Sequence, residues 1–357
     1  MKFRKLLLFN LFFLFIASLS SACSERKSET TSASPNTLAE NSTAAPDAEI
    51  AAAQKIIEAA PNAADGYNKL AVVYIRRARE TGDFSLNTKA QTAVNHALEV
   101  EPQNYDAQKL KASLLATFHR FGEALEFAAQ LQKDHPQDSF IYGVLTDANV
   151  ELGNYKEAVD AVQQMVDLRP GMESYARVSY VRSLHGEPEG AIQAMSLAAQ
   201  AADPLDKEAR AWCLTHLGDE YFKTGKYAEA EKQYDAALQT LPNYHFALAA
   251  KGRARAAAND YENAIKFLSQ AQEKIPLTLT DIWLGDVYAK TGNAEKAAEQ
   301  YKLAEIIEQK LGNIDQRTLA LMWADQNIRL DEALAIAERE HAARKDIFTA
   351  DIYAWCL

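Results

Sequence analysis

Three hundred and fifty-seven residues carry 38 Lys and Arg against 49 Asp and Glu, a formal charge of −11, with 48% apolar and 24% charged residues. That apolar content excludes wholesale disorder, the acidic balance argues against nucleic acid as a partner, and three cysteines are too few for a disulfide scaffold. Sixty-four alanines, about 18% of the chain, beside 14 Gly and 10 Pro point to an all-α fold, alanine being the strongest helix former. The length suits two or three ordinary domains or one elongated array.

The chain opens with Lys2, Arg4 and Lys5 and no acid nearby, then an apolar run from Leu6 to Leu19 broken by Asn10 and Ser18, then small residues at Ser20, Ser21 and Ala22. This layout predicts a signal peptide over residues 1–22, its apolar run being short for a transmembrane helix. Cys23 behind a small residue resembles a bacterial lipobox, in which the cysteine is lipidated and becomes the first mature residue. Ser20 stands where that family favours Leu, and Ser20 with Ala22 also suits ordinary signal-peptidase cleavage; both readings stay open, with lipidation expected. Residues 24–47 are rich in Ser, Thr, Ala, Asn and Pro, with no aromatic and a single Leu, too little apolar surface to order themselves. A linker is therefore expected over 23–48, spanning roughly 25–30 Å as a random coil. Ser24 after the cysteine resembles an outer-membrane sorting signal. The expected location is the cell envelope, anchored to the outer membrane facing the periplasm, or otherwise soluble periplasmic or secreted. Cleavage after Ala22 takes three positive charges and no negative one, shifting the charge from −11 to −14.

From residue 49 onward the informative feature is spacing. Pro102, Pro136 and Pro170 lie 34 apart, as do Pro242 and Pro276; Phe121, Tyr155, Tyr227 and Tyr261 keep step, and so do Ala124, Ala158, Ala230 and Ala264. A fixed period of this length marks a helical repeat array. In the clearest copy, numbered from Ala211, Leu217, Gly218, Tyr221, Gly225, Tyr227, Ala230, Tyr234, Ala237 and Pro242 occupy positions 7, 8, 11, 15, 17, 20, 24, 27 and 32. This pattern resembles the tetratricopeptide repeat, a helix-turn-helix unit. Small residues at 8 and 20 allow close helix approach, position 15 takes the left-handed turn, and Pro at 32 ends the second helix. The resemblance implies a right-handed superhelical solenoid over 49–357, about eight repeats plus the start of a ninth. Extra residues interrupt the first unit around Arg79–Thr88, and the unit from Glu173 to Lys207 reads as degenerate, with HGEPEGA in place of the usual turn. Asp351–Leu357 reads as the beginning of another first helix, and Trp355, Cys356 and Leu357 are not the polar cap of a terminal repeat, so a longer parent chain or a covering partner is expected.

No phosphate-binding loop of the GxxxxGK[ST] type, HExxH pair or nucleophile motif is present in the sequence, so no catalytic residue, cofactor or metal is expected. By resemblance, positions 2, 5, 9 and 12 of each unit face a concave groove that binds peptides or helices. Here they include Phe140, Asp147, Trp212, Thr215, Asp219, Phe246, Arg253 and Asp286. The aromatics are possible anchors or simply packing between repeats. A groove with recurring Asp favours an extended basic or apolar segment. The expectation is a non-catalytic, membrane-anchored scaffold for protein–protein interactions, attached through Cys23 and with no nucleic-acid partner. The alternatives are an adaptor half of a longer enzyme and an array that self-associates through its open C-terminal end.

Overall fold

The computed structural model describes residues 44–310 and 316–357; the signal segment, Cys23 and most of the expected linker lie outside them. All regular structure among the described residues is helical. In chain order the helices are α1 (Ala44–Ala59), α2 (Ala64–Thr81), α3 (Ser85–Val100), α4 (Tyr105–Thr117), α5 (Phe121–Asp134), α6 (Ser139–Glu151), α7 (Tyr155–Leu168), α8 (Met172–Leu184) and α9 (Pro188–Ala201). They continue with α10 (Lys207–Lys223), α11 (Tyr227–Thr240), α12 (His245–Ala257), α13 (Tyr261–Lys274), α14 (Thr278–Lys290), α15 (Ala294–Lys310), α16 (Arg317–Gln326), α17 (Leu330–Ala343) and α18 (Ile347–Cys356). None among the described residues is long and apolar enough to cross a membrane. Helix α1 begins within the stretch read as linker.

The helices fall into two compact units, the second spanning Phe118–Leu357. In the first, α2 and α3 form a hairpin around Ala64, Ala97 and Ala107, with Tyr67, Leu98 and Val100 against them. The extra residues lengthen α2 to 18 residues before Gly82 (φ 67°) ends it in the left-handed conformation.

In the second unit α5 is followed by hairpins α6/α7, α8/α9, α10/α11, α12/α13, α14/α15 and α16/α17, and then by the single helix α18. Each turn inside a hairpin has a residue of positive φ: Gly153, Gly186, Gly225, Asn259, Gly292 and Asn327 recur 33–39 residues apart, with Arg329 (φ 46°) joining Asn327 in the last. The stretch HGEPEGA folds as an ordinary member of this series. Gly186 supplies the left-handed step and Pro188 opens α9, where its missing N–H costs nothing. Close approach within a hairpin depends on glycine at position 8: a Cβ on Gly252 would stand 2.6 Å from Leu268 Cγ, and one on Gly285 2.6 Å from Tyr301 Cε1. Toward the end, Leu319, Met322, Trp323, Ile336 and Ile352 share one buried cluster, while Trp355 and Leu357 are exposed.

Candidate functional site

The first helices of the hairpins are the more deeply buried. On α6 every residue from Ile141 to Val150 is buried, whereas α7 buries only Ala158, Ala161, Val162 and Met165. Helices α8, α10 and α12 follow α6, and together with α14 they make an inner row flanked by amphipathic second helices.

The eight residues singled out from the sequence all lie on this row, with differing exposure. Asp147, Trp212, Thr215, Asp219 and Arg253 are buried; Phe140 and Phe246 are half-buried; Asp286 is exposed. Trp212 packs on His216, ring centroids 4.1 Å apart, and the Thr215 hydroxyl donates to Ala211 O of its own helix (2.8 Å). Phe246 stacks against His245 at 4.1 Å.

The recurring Asp at position 9 serves to join neighbouring first helices. Arg177 of α8 clasps Asp147 of α6 side-on, Nε to Oδ1 at 2.9 Å and Nη2 to Oδ2 at 2.7 Å. The absent side chain of Gly143 leaves the room: a Cβ there would meet the Arg177 guanidinium carbon at 3.2 Å. Two units further, Arg253 of α12 donates to Asp219 of α10 at 2.7 Å, and the Tyr234 hydroxyl donates to the same carboxylate at 2.9 Å. The Arg253 guanidinium also lies over Phe222 (4.5 Å) and Trp283 (5.0 Å), spanning α10, α12 and α14. Between these two pairs, Ser183 of α8 donates to Glu220 of α10 at 3.1 Å and receives a bond from Lys223. At Asp286 the Tyr301 hydroxyl donates at 2.8 Å, repeating the Asp–Tyr spacing of 219 and 234.

Asp147 and Asp219 are shifted in opposite directions for a visible reason. Burial raises Asp147 to about 6, with Glu151 adding to the rise and Arg177 opposing it. Burial pushes Asp219 the same way, but Arg253, His216 and Tyr234 together hold it below the ordinary carboxylate range. Val162 stands on α7 where the α10/α11 hairpin has Tyr234, so Asp147 receives no phenol.

Arg177 and Trp283 were not among the sequence candidates; Gly143 opposite a basic residue of the next unit was the available signal. Asp281 on α14 was also missed. It is fully buried, accepts from Gln272 Nε2 at 2.8 Å through Oδ1, has no hydrogen-bond partner on Oδ2, and is raised to about 6 by burial, Gln272 opposing. His245 is buried too, with Nε2 unpartnered, and burial lowers it to about 4. The Cys213 thiol is buried and pushed well up, a packing group rather than a nucleophile. Among the described residues no group of three or more His, Cys, Asp or Glu is gathered as metal ligands would be.

The family profile described as tetratricopeptide repeat matches residues 215–277, from within α10 to the residue before α14. Anaphase-promoting complex subunit 3 of Schizosaccharomyces pombe (strain 972) is 22% identical over 245 residues, 65% of this chain and 36% of its own length. The crystal structure of the APC/C hetero-tetramer Cut9–Hcn1 superposes with a TM-score of 0.58 at 16% identity, over 88% of this chain and 58% of that one. The crystal structure of PilW, a widely conserved type IV pilus biogenesis factor, gives 0.48 at 16% identity over 56% of this chain and 90% of its own. The chain thus spans little more than a third of the curated relative's length and just under three fifths of the Cut9–Hcn1 chain's.

Proposed function

This chain is a tetratricopeptide-repeat protein, a fold that serves protein–protein interaction, and from that premise we propose that it is a non-catalytic scaffold of a bacterial cell envelope. In this reading the inner row of the second unit receives an extended basic or apolar segment, and a lipid on Cys23 holds the body at the outer membrane.

The observation that carries the reading is the way the row is locked before any ligand arrives. Arg177 and Arg253 each tie one first helix to the next, so that the half-buried Phe140, Phe246 and Trp283 and the exposed Asp286 sit on a wall whose spacing is already set. Preorganisation lowers the ordering cost that a binding surface otherwise incurs on association. Half-buried aromatics beside an acidic group offer anchors for an apolar or cationic side chain. With Asp147 and Asp219 matched by arginines, the charge left to steer a basic ligand comes from Asp286 and the overall acidic balance.

The test is recovery of partners from a detergent-solubilised envelope fraction by wild type and by Phe246→Ala with Asp286→Lys. The double variant is expected to lose most of the yield while keeping its helical circular dichroism; equal recovery of the same proteins would place the binding surface elsewhere. The anchor has its own check, a diacylglyceryl mass on the mature N-terminal cysteine, and an unmodified Cys23 would leave a soluble exported scaffold.

A further inference from the structure

The loop between α17 and α18 reaches back across the second unit to the turn between α6 and α7, some 190 residues earlier in the chain. Three unlike contacts meet there. Arg344, buried at the end of α17, pairs with Glu151 at the end of α6 and lies over the Phe121 ring at 4.7 Å. The Ile347 amide donates to the Tyr155 hydroxyl at 2.7 Å. Gly153 provides the seat: it has φ 78°, and a Cβ on it would come within 2.5 Å of Lys345 O. No other residue type fits both that backbone conformation and that backbone contact.

The contact also completes a helix end. The first turn of α18 has unpaired N–H groups like any helix. Asp346 accepts from Phe348 and Thr349, each at 3.0 Å, but the Ile347 amide takes its acceptor from Tyr155. Behind the loop, Arg317 reaches Asp346 at 3.4 Å and Thr349 at 3.1 Å, so the charged groups are connected from α16 through to α6. The apolar packing is arranged differently. Leu319, Met322, Trp323, Ile336 and Ile352 form a cluster with Ala304 that contains no residue of α5–α8. The α16–α18 segment shares its core with α14 and α15, and it meets the α6–α7 corner through the polar contacts above.

We propose that residues 344–347 are an intramolecular strap, a polar latch that fastens the end of the second unit onto its α6–α7 corner and can release without unfolding α16–α18. Charge pairs across such a seam are strong while dry and lose their advantage once one partner is removed or water enters, whereas an apolar core keeps its cohesion. The strap bridges the row near α6 to α16, and so sets the span of the wall on which a ligand would sit; this consequence alone rests on the scaffold reading.

Residue-resolved amide exchange on the full mature chain tests it. In Arg344→Gln, exchange across 344–350 and at the 151–155 turn is expected to rise together by on the order of tenfold, while the amides of α16 from Leu319 to Trp323 keep their protection. In Tyr155→Phe, which removes one hydroxyl and leaves the fold intact, the Ile347 amide alone is expected to lose protection. Unchanged exchange of 344–350 in the first variant, or an equally protected Ile347 amide in the second, would overturn the strap. So would a parallel rise in α16, which would make the loop one cooperative body with its core. None of these readouts involves a ligand, so failure here leaves the scaffold reading standing, and loss of partner recovery in Phe246→Ala with Asp286→Lys leaves the strap untouched.

Discussion

Replacement of Asp281 by Asn separates one buried charge from the rest of the molecule. Asp281 is fully buried, has a single hydrogen-bond donor, and is raised from 3.8 to about 6. Between those values the folded state holds a proton that the unfolded chain has released, so stability falls as pH rises through this window. At 1.36 kcal/mol per pKa unit the full effect is about 3 kcal/mol. Relaxation and water entry reduce it, and a change of about 1–3 kcal/mol between pH 3.8 and pH 6.5 is expected from this carboxyl. Other groups cross the same range: Asp147, raised to about 6, acts in the same direction, whereas His245, lowered to about 4, makes folding less favourable as acid protonates the unfolded chain. A wild-type profile therefore mixes opposite slopes. The difference between wild type and Asp281→Asn cancels everything but residue 281, and the amide's own unpaired donor adds only a pH-independent offset. Urea denaturation followed by tryptophan fluorescence, with Trp283 two residues away, measures it at half-unit steps of pH. The variant is expected to gain about 1–3 kcal/mol on wild type between pH 4 and pH 6.5. A difference that stays flat with pH would mean that Asp281 ionises normally and that the burial argument is wrong.

Further outcomes follow from the same geometry. Arg177→Ala leaves Asp147 buried without its partner and is expected to cost about 3–5 kcal/mol, while Asp147→Leu with Arg177→Met costs clearly less, measured as a double-mutant cycle in urea. Gly252→Ala pushes a methyl into Leu268 and is expected to destabilise the α12/α13 hairpin by about 1–3 kcal/mol, whereas Gly186→Asn, at a turn open to solvent, stays within about 1 kcal/mol; amide exchange localises each effect. Tyr234→Phe removes a donor from Asp219 and is expected to raise that carboxyl and to destabilise by about 1–2 kcal/mol at pH 7, with the loss shrinking as pH falls, because a protonated Asp219 needs the hydroxyl less.

The site was only partly legible. Asp147, Asp219 and Arg253 were visible in the sequence as repeating polar positions on first helices. Their exposure was not, because the groups that cover them belong to neighbouring units. Arg177 comes 30 residues after the aspartate it clasps, and the unit that carries it departs from the repeat pattern, so spacing could not reveal it. Asp281 could not be separated from an ordinary helix-surface carboxylate until α13 was seen to bring Gln272 against it, the same amide also donating to Gln300 of α15.

What the sequence determined alone is whatever depends on neighbours a few residues to one period away: the helices, their left-handed turns at Gly153, Gly186, Gly225, Asn259, Gly292 and Asn327, and the small residues that let paired helices touch. These are local consequences of backbone sterics and side-chain volume, and they repeat because the unit repeats. Tertiary structure decided which charges are spent on holding first helices together, and that the α17–α18 loop closes on Gly153 and Tyr155. Both depend on how small rotations between successive hairpins add up across the unit, and that sum, carried over nearly 200 residues, is written at no single position.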